Sequence, residues 1–217
     1  MNKKLIIILL LFGFALPAFS QGDISAILSK LTKTIKSYKS LYFEYTLTIE
    51  DKQLNTSSMQ DGKILAQGKK FKISTNDSFF FSDGETQWQY LKDDNEVVIS
   101  SADPDSEDLL VNPIGFITGD KKEYKQRLKG EVNEDGFALT EIDFYPIDLK
   151  TPYSYIRIRI DEEKQKPYSI RYIGKDGVNY IIKIKSYTPN IEIPKEESFT
   201  FDASKYPNIE IIDLREI

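Results

Sequence analysis

From Tyr42 to Glu50, apolar Phe43, Tyr45, Leu47 and Ile49 alternate with Glu44, Thr46, Thr48 and Glu50, the period of a strand with one buried face. Just before it the period changes. Ile24, Ile27, Leu28, Leu31, Ile35 and Tyr38 recur at spacings of three and four, with Lys30, Lys33, Lys36 and Lys39 on other faces, which predicts an amphipathic helix with Asp23 as its N-cap. Further strand patterns follow in groups. Lys70 to Ser74, Phe79 to Ser82, Thr86 to Leu91 and Glu96 to Ser100 form a first meander. Tyr124 to Val132 with Phe137 to Phe144 form a second, and Tyr153 to Asp161, Tyr168 to Ile173 and Val178 to Tyr187 a third. Asp61-Gly62, Asp83-Gly84, Asp135-Gly136 and Asp176-Gly177 are read as tight turns or bulges, because both residue types tolerate positive φ. Ser198 to Phe201 and Ile209 to Leu214 are expected as two short closing strands.

Between the first two meanders the alternation stops. The stretch "DPDSEDLLVNPIGFITGDKKEY" gathers Leu109, Leu110, Val111, Ile114, Phe116 and Ile117 into one apolar cluster, which predicts a short helix or helical pair. The expected fold class is therefore mainly β with helices (α+β): a single curved antiparallel sheet faced by two helical pieces. No internal repeat or Pro/Gly/Ser-rich linker divides the chain, so residues 21–217 are expected to form a single domain.

Residues 1–20 have a separate logic. A basic start at Lys3 and Lys4, an apolar run from Leu5 to Phe14 and the small-x-small ending Ala18-Phe19-Ser20 predict a cleaved export signal. The apolar run is too short to cross a hydrocarbon core of roughly 30 Å as a helix. The formal net charge of −5 argues against nucleic acid as a partner, and removal of Lys3 and Lys4 makes the chain more acidic still.

Two absences narrow the chemistry. The chain has no cysteine and no histidine, which removes disulfides, thiol nucleophiles, the Ser-His-Asp triad and the usual zinc site. Carboxylate pairs remain, but Asp93-Asp94, Glu107-Asp108 and Glu162-Glu163 fall in predicted turns and loops, where solvated charge is the ordinary explanation. No catalytic residue, metal ligand or cofactor is assigned. The cluster Lys121, Lys122, Lys125, Arg127 and Lys129 reads as a solvated face, or as a docking surface for an acidic partner.

Aromatic residues are concentrated in "SFFFSDGETQWQYL". Alternation places Phe79 and Phe81 on one face and Phe80 on the other, with Trp88 and Tyr90 pointing to a common side. Either these rings are simply core, or the sheet is incompletely covered and its apolar cavity takes a greasy ligand.

The order of features resembles the LolA family of periplasmic lipoprotein carriers. An amphipathic helix is followed by "SLYFEYTLTI", "DGKILAQGKKFKI", "FSDGETQWQYLKDDNEVVI", the insert "NPIGFITGD" and the closing "SFTFDASKYPNIEIIDL". The resemblance implies an unclosed half β-barrel under a helical lid, whose interior takes the acyl chains of a lipoprotein. By that analogy Phe43, Tyr45, Phe71, Phe79, Phe81, Trp88 and Tyr90 are expected to wall the cavity, and Leu110, Pro113, Ile114, Phe116 and Ile117 to form the lid. Gln67 stands where the family often has an arginine that locks the lid. The resemblance further implies a monomer in the periplasm that receives cargo from a LolCDE-like inner-membrane transporter and passes it to a LolB-like outer-membrane acceptor. The alternatives are a lipid-sensing regulator of the RseB-like type and a carrier of another lipid.

Overall fold

A computed structural model describes residues 21–102, 113–195 and 197–215. The expected export signal and the candidate lid residue Leu110 lie outside these residues.

Helix α1 spans Gln21–Lys36, with Asp23 in its first turn and Lys33 and Lys36 in its last, each favourable to the helix dipole. Asp23 sits inside the first turn instead of capping it, and Tyr38 lies beyond the helix end. Among the described residues twelve strands follow: β1 Leu41–Asp51, β2 Thr56–Gln67, β3 Lys70–Ser74, β4 Ser78–Ser82, β5 Thr86–Leu91 and β6 Glu96–Ser101, then, after the short helix α2 Pro113–Thr118, β7 Tyr124–Glu134, β8 Phe137–Pro146, β9 Tyr153–Asp161, β10 Lys166–Gly174, β11 Val178–Pro189 and β12 Glu210–Asp213.

All twelve belong to one unclosed sheet in the order β12-β6-β5-β4-β3-β2-β1-β11-β10-β9-β8-β7. The three meanders are thus one surface, joined at β1, which pairs with β2 on one side and β11 on the other. Two expectations are corrected. Ser198 to Phe201 is irregular backbone, and β12 runs parallel to β6, so the sheet is not wholly antiparallel.

Asp-Gly turns close three of the four expected positions. At Asp135-Gly136 both residues have positive φ (52° and 82°), the backbone of a two-residue hairpin whose twist matches its strands. Asp61-Gly62 instead lies inside β2, opposite Thr46 and Tyr45 of β1. The Tyr45 ring lies over Gly62 so closely that a Cβ there would be 2.2 Å from Cζ. Glycine at this position makes room for a ring.

The sheet has two differently dressed faces. Opposed residues in a register share a face, so Phe43, Ile64, Ile73 and Phe80 point one way, as do Ile142, Ile158, Ile170 and Ile182. This face packs against α1 through Ile24, Leu31 and Ile35 and against α2 through Phe116 and Ile117. Each fully buried side chain of this size contributes about 1.5–3 kcal/mol. On the other face, β8 and β9 carry an ionic ladder. Arg157 holds Asp143 with Nε–Oδ1 2.6 Å and Nη2–Oδ2 2.9 Å, and Arg159 donates to Glu141 at 2.8 Å and to Glu134. The guanidiniums thereby satisfy the buried carboxylates of Glu141 and Asp143.

Candidate functional site

A cavity of about 520 Å³ opens on the helix face where β1, β2 and β3 pass under the end of α1. Its floor follows from strand alternation: Leu41 from β1, Ile64 and Ala66 from β2, and Phe71 and Ile73 from β3 are neighbours on one face. Ile35 of α1 and Tyr38 beyond it form one wall, and Ile114, Gly115 and Thr118 of α2 another. The two helices touch, with the Thr32 hydroxyl 3.5 Å from the Ile117 carbonyl.

Of the residues expected to wall a cavity, Phe71 lines this one. Phe43 and Tyr45 lie on the same face but within the packed core, and burial pushes the Tyr45 hydroxyl up to about 12. Ile114 lines the cavity, whereas Phe116 and Ile117 are core, Phe116 standing edge-on to Tyr124 and Phe144. Pro113 opens α2. Gln67 is exposed at the end of β2, and its neighbours Ala66 and Gly68 reach the cavity.

The aromatic hairpin faces the other way. Phe80 opposes Ile73 and packs against the core, while Phe79 opposes Tyr90 and Phe81 opposes Trp88 on the face turned away from α1. The inward assignment of Phe79 and Phe81 over Phe80 is therefore reversed. Their cover is the chain between β11 and β12. Asn190 is anchored at Ser40, its N–H donating to the Ser40 carbonyl at 2.7 Å, and Glu197 then pairs with Lys72 at 2.6 Å. Phe201 contacts Phe81 and Tyr90 with ring centroids 5.9 and 5.3 Å apart, and Tyr206 contacts Tyr90 at 4.4 Å. Asn95 finally donates to the Pro207 carbonyl at 3.1 Å, and β12 docks on β6. This strap covers Phe81 and Tyr90 on the face turned away from the helices, while Phe79 and Trp88 stay half-buried.

The apolar side chains of the cavity missed by sequence reasoning are Ile35, Tyr38, Leu41, Ile64, Ala66 and Ile73. The alternation of Ile64 and Ala66 in "KILAQ", continued by Phe71 and Ile73 across the next turn, is the signal that points to them.

Among the described residues, the titratable groups that border the cavity are Lys36, Tyr38, Lys69, Lys70 and Asp120. Among the described residues, the carboxylates whose pKa is shifted are all shifted downward, as at Glu134, where hydrogen bonds from Arg159 and Lys183 outweigh the upward push of burial. The site offers an apolar floor with charged groups at its border.

Residues 45–135, which contain β2 to β6, α2 and most of the cavity floor, match the family model described as outer membrane lipoprotein carrier protein LolA. That segment is LolA-like. Solved structures agree at the level of fold. An uncharacterized conserved protein from Thermus thermophilus is 12% identical with a TM-score of 0.55, over 88% of this chain and 99% of that one. MucB is 16% identical with a TM-score of 0.50, over 85% of this chain and 64% of MucB. No curated protein matches the sequence. The LolA-like segment excludes α1 and the strap, so one cavity wall and the rings that cover Phe81 and Tyr90 lie outside the matched region.

Proposed function

We propose that this LolA-like chain is an extracytoplasmic carrier that holds lipoprotein acyl chains in the cavity between α1, α2 and β1–β3 and moves lipoproteins from the inner to the outer membrane. The observation that carries the reading is the apolar floor of Leu41, Ile64, Ala66, Phe71 and Ile73 beneath two helices, with about 520 Å³ of open volume. That volume lies within the range of roughly 300–1,000 Å³ typical of small-ligand sites. The mechanism is binding without bond making. Each methylene that leaves water contributes about 0.8 kcal/mol, so a short length of chain offsets a modest cost of parting α2 from the sheet. Shallow burial also permits release, because a carrier that enclosed every methylene would retain its cargo.

In this reading α2 is the lid, the periplasm is the compartment, a LolCDE-like transporter is the donor and a LolB-like lipoprotein is the acceptor. The test is transfer. Inner-membrane vesicles bearing a labelled lipoprotein are incubated with the purified chain under conditions that energise the donor, and the supernatant is assayed for a soluble one-to-one complex. Lipoprotein that stays with the vesicles regardless of the carrier contradicts the proposal.

A further inference from the structure

The mouth of the cavity has a chemistry of its own. Lys36, the last residue of α1, and Lys69 and Lys70, at the β2–β3 turn, all border it and are exposed. Asp120 borders it too, but is paired with Lys122 at 2.6 Å. Three of the last helix carbonyls already accept hydrogen bonds: those of Lys33 and Thr34 from the Ser37 N–H, that of Thr34 also from the Ser37 hydroxyl at 2.7 Å, and that of Ile35 from the Tyr38 N–H. Lys70 also acts on Asp83, whereas Lys36 and Lys69 form no ion pair among the described residues. Among the described residues, an apolar floor thus ends in a positively charged rim whose one bordering acid, Asp120, is paired with a lysine.

We infer that this site selects amphiphiles with an anionic headgroup, the acyl chain lying on Ile64, Ala66 and Ile73 and the headgroup meeting Lys36, Lys69 and Lys70. The inference rests on the acyl-chain reading of the cavity and adds a selectivity to it. Chain burial supplies affinity irrespective of headgroup, and the rim supplies discrimination, because complementary charge acts on anionic lipids and is screened by salt. A zwitterionic headgroup gains from the same lysines only what its phosphate gives and its ammonium takes away.

The experiment compares palmitoyl lysophosphatidylglycerol with palmitoyl lysophosphatidylcholine, which share one chain, in binding to the wild-type protein, to the triple variant Lys36→Gln/Lys69→Gln/Lys70→Gln and to the cavity-filling variant Ala66→Phe. The three lysines are exposed, so their replacement leaves folding intact. At low ionic strength the wild type should prefer the anionic lipid by about tenfold, a factor in keeping with a few exposed charge contacts. High salt and the triple variant should each bring the two lipids towards parity, with affinity for the zwitterionic lipid unchanged. Equal wild-type affinities, with binding lost in Ala66→Phe, overturn the selectivity and leave the acyl-chain reading in place. Absence of binding, or binding that Ala66→Phe does not alter, overturns both.

Discussion

The ring of Phe201 stands edge-on to that of Phe81, with centroids 5.9 Å apart, and so ties the strap to the aromatic hairpin on the face opposite the helices. Phe81 and Tyr90 are thereby covered by the segment between β11 and β12, and both are buried. Phe201→Ala should detach that cover. The expected cost is roughly 2 kcal/mol, below that of a fully buried phenylalanine because the ring is only partly enclosed. Limited proteolysis should then cut within residues 190–209 while acyl-chain affinity is unchanged. Loss of affinity without new cleavage would mean that the strap face, not the helix face, holds the ligand.

Phe71 and Trp88 should separate in the same way. Phe71 lines the cavity, whereas Trp88 opposes Phe81 on the other face. Truncation of Phe71 to alanine removes about 1–2 kcal/mol of contact with a bound chain, a weakening of about tenfold, whereas Trp88→Ala should change affinity less than twofold. Trp88 is also the only tryptophan, so a brominated acyl chain bound in the cavity should leave its fluorescence nearly intact. Titration of both signals against one lipid preparation checks the assignment.

Gly62→Ala places a methyl carbon where the Tyr45 ring now lies. The ring must move within a packed core, which should lower stability by about 1–3 kcal/mol. Tyr45→Leu in the same chain should recover part of that loss, because the smaller side chain vacates the space. Urea unfolding of the two single variants and the double variant measures the coupling directly.

Much of this arrangement was legible in the chain itself. Period-two runs located most of the strands, and period three-to-four located α1, because both signals are local. Alternation divides Phe79, Phe80 and Phe81 between two faces, but it cannot say which face receives the helix. That choice depends on β1 pairing with β11 and on α1 packing across both halves. The strap reads differently in the chain for a related reason: Ser198 to Phe201 has the look of a short closing strand, and Phe201 gains its place only from rings more than a hundred positions earlier. Asp61-Gly62 has the composition of a turn, and only the register with β1 shows that it serves Tyr45.

Acid should loosen the ionic edge of the sheet. Burial pushes the Glu134 carboxyl up, but hydrogen bonds from Arg159 and Lys183 prevail and hold it below the usual glutamate range. A carboxylate depressed in the folded state contributes stability above its unfolded pKa and loses it as the pH falls through its folded value. The melting temperature should therefore fall as the pH drops below about 4, and Glu134→Gln should flatten part of that slope. Parallel melting curves for wild type and variant across this range provide the check.

Native mass spectrometry of residues 21–217 with a triacylated lipopeptide, run beside Ala66→Phe, tests the central claim most directly. Ala66 is small, lines the cavity floor and leaves room there for a ring. The wild type should carry one lipopeptide and the variant, equally folded, none. A wild type that remains empty, or a variant that binds as well as the wild type, would contradict the placement of the acyl-chain site between α1, α2 and β1–β3.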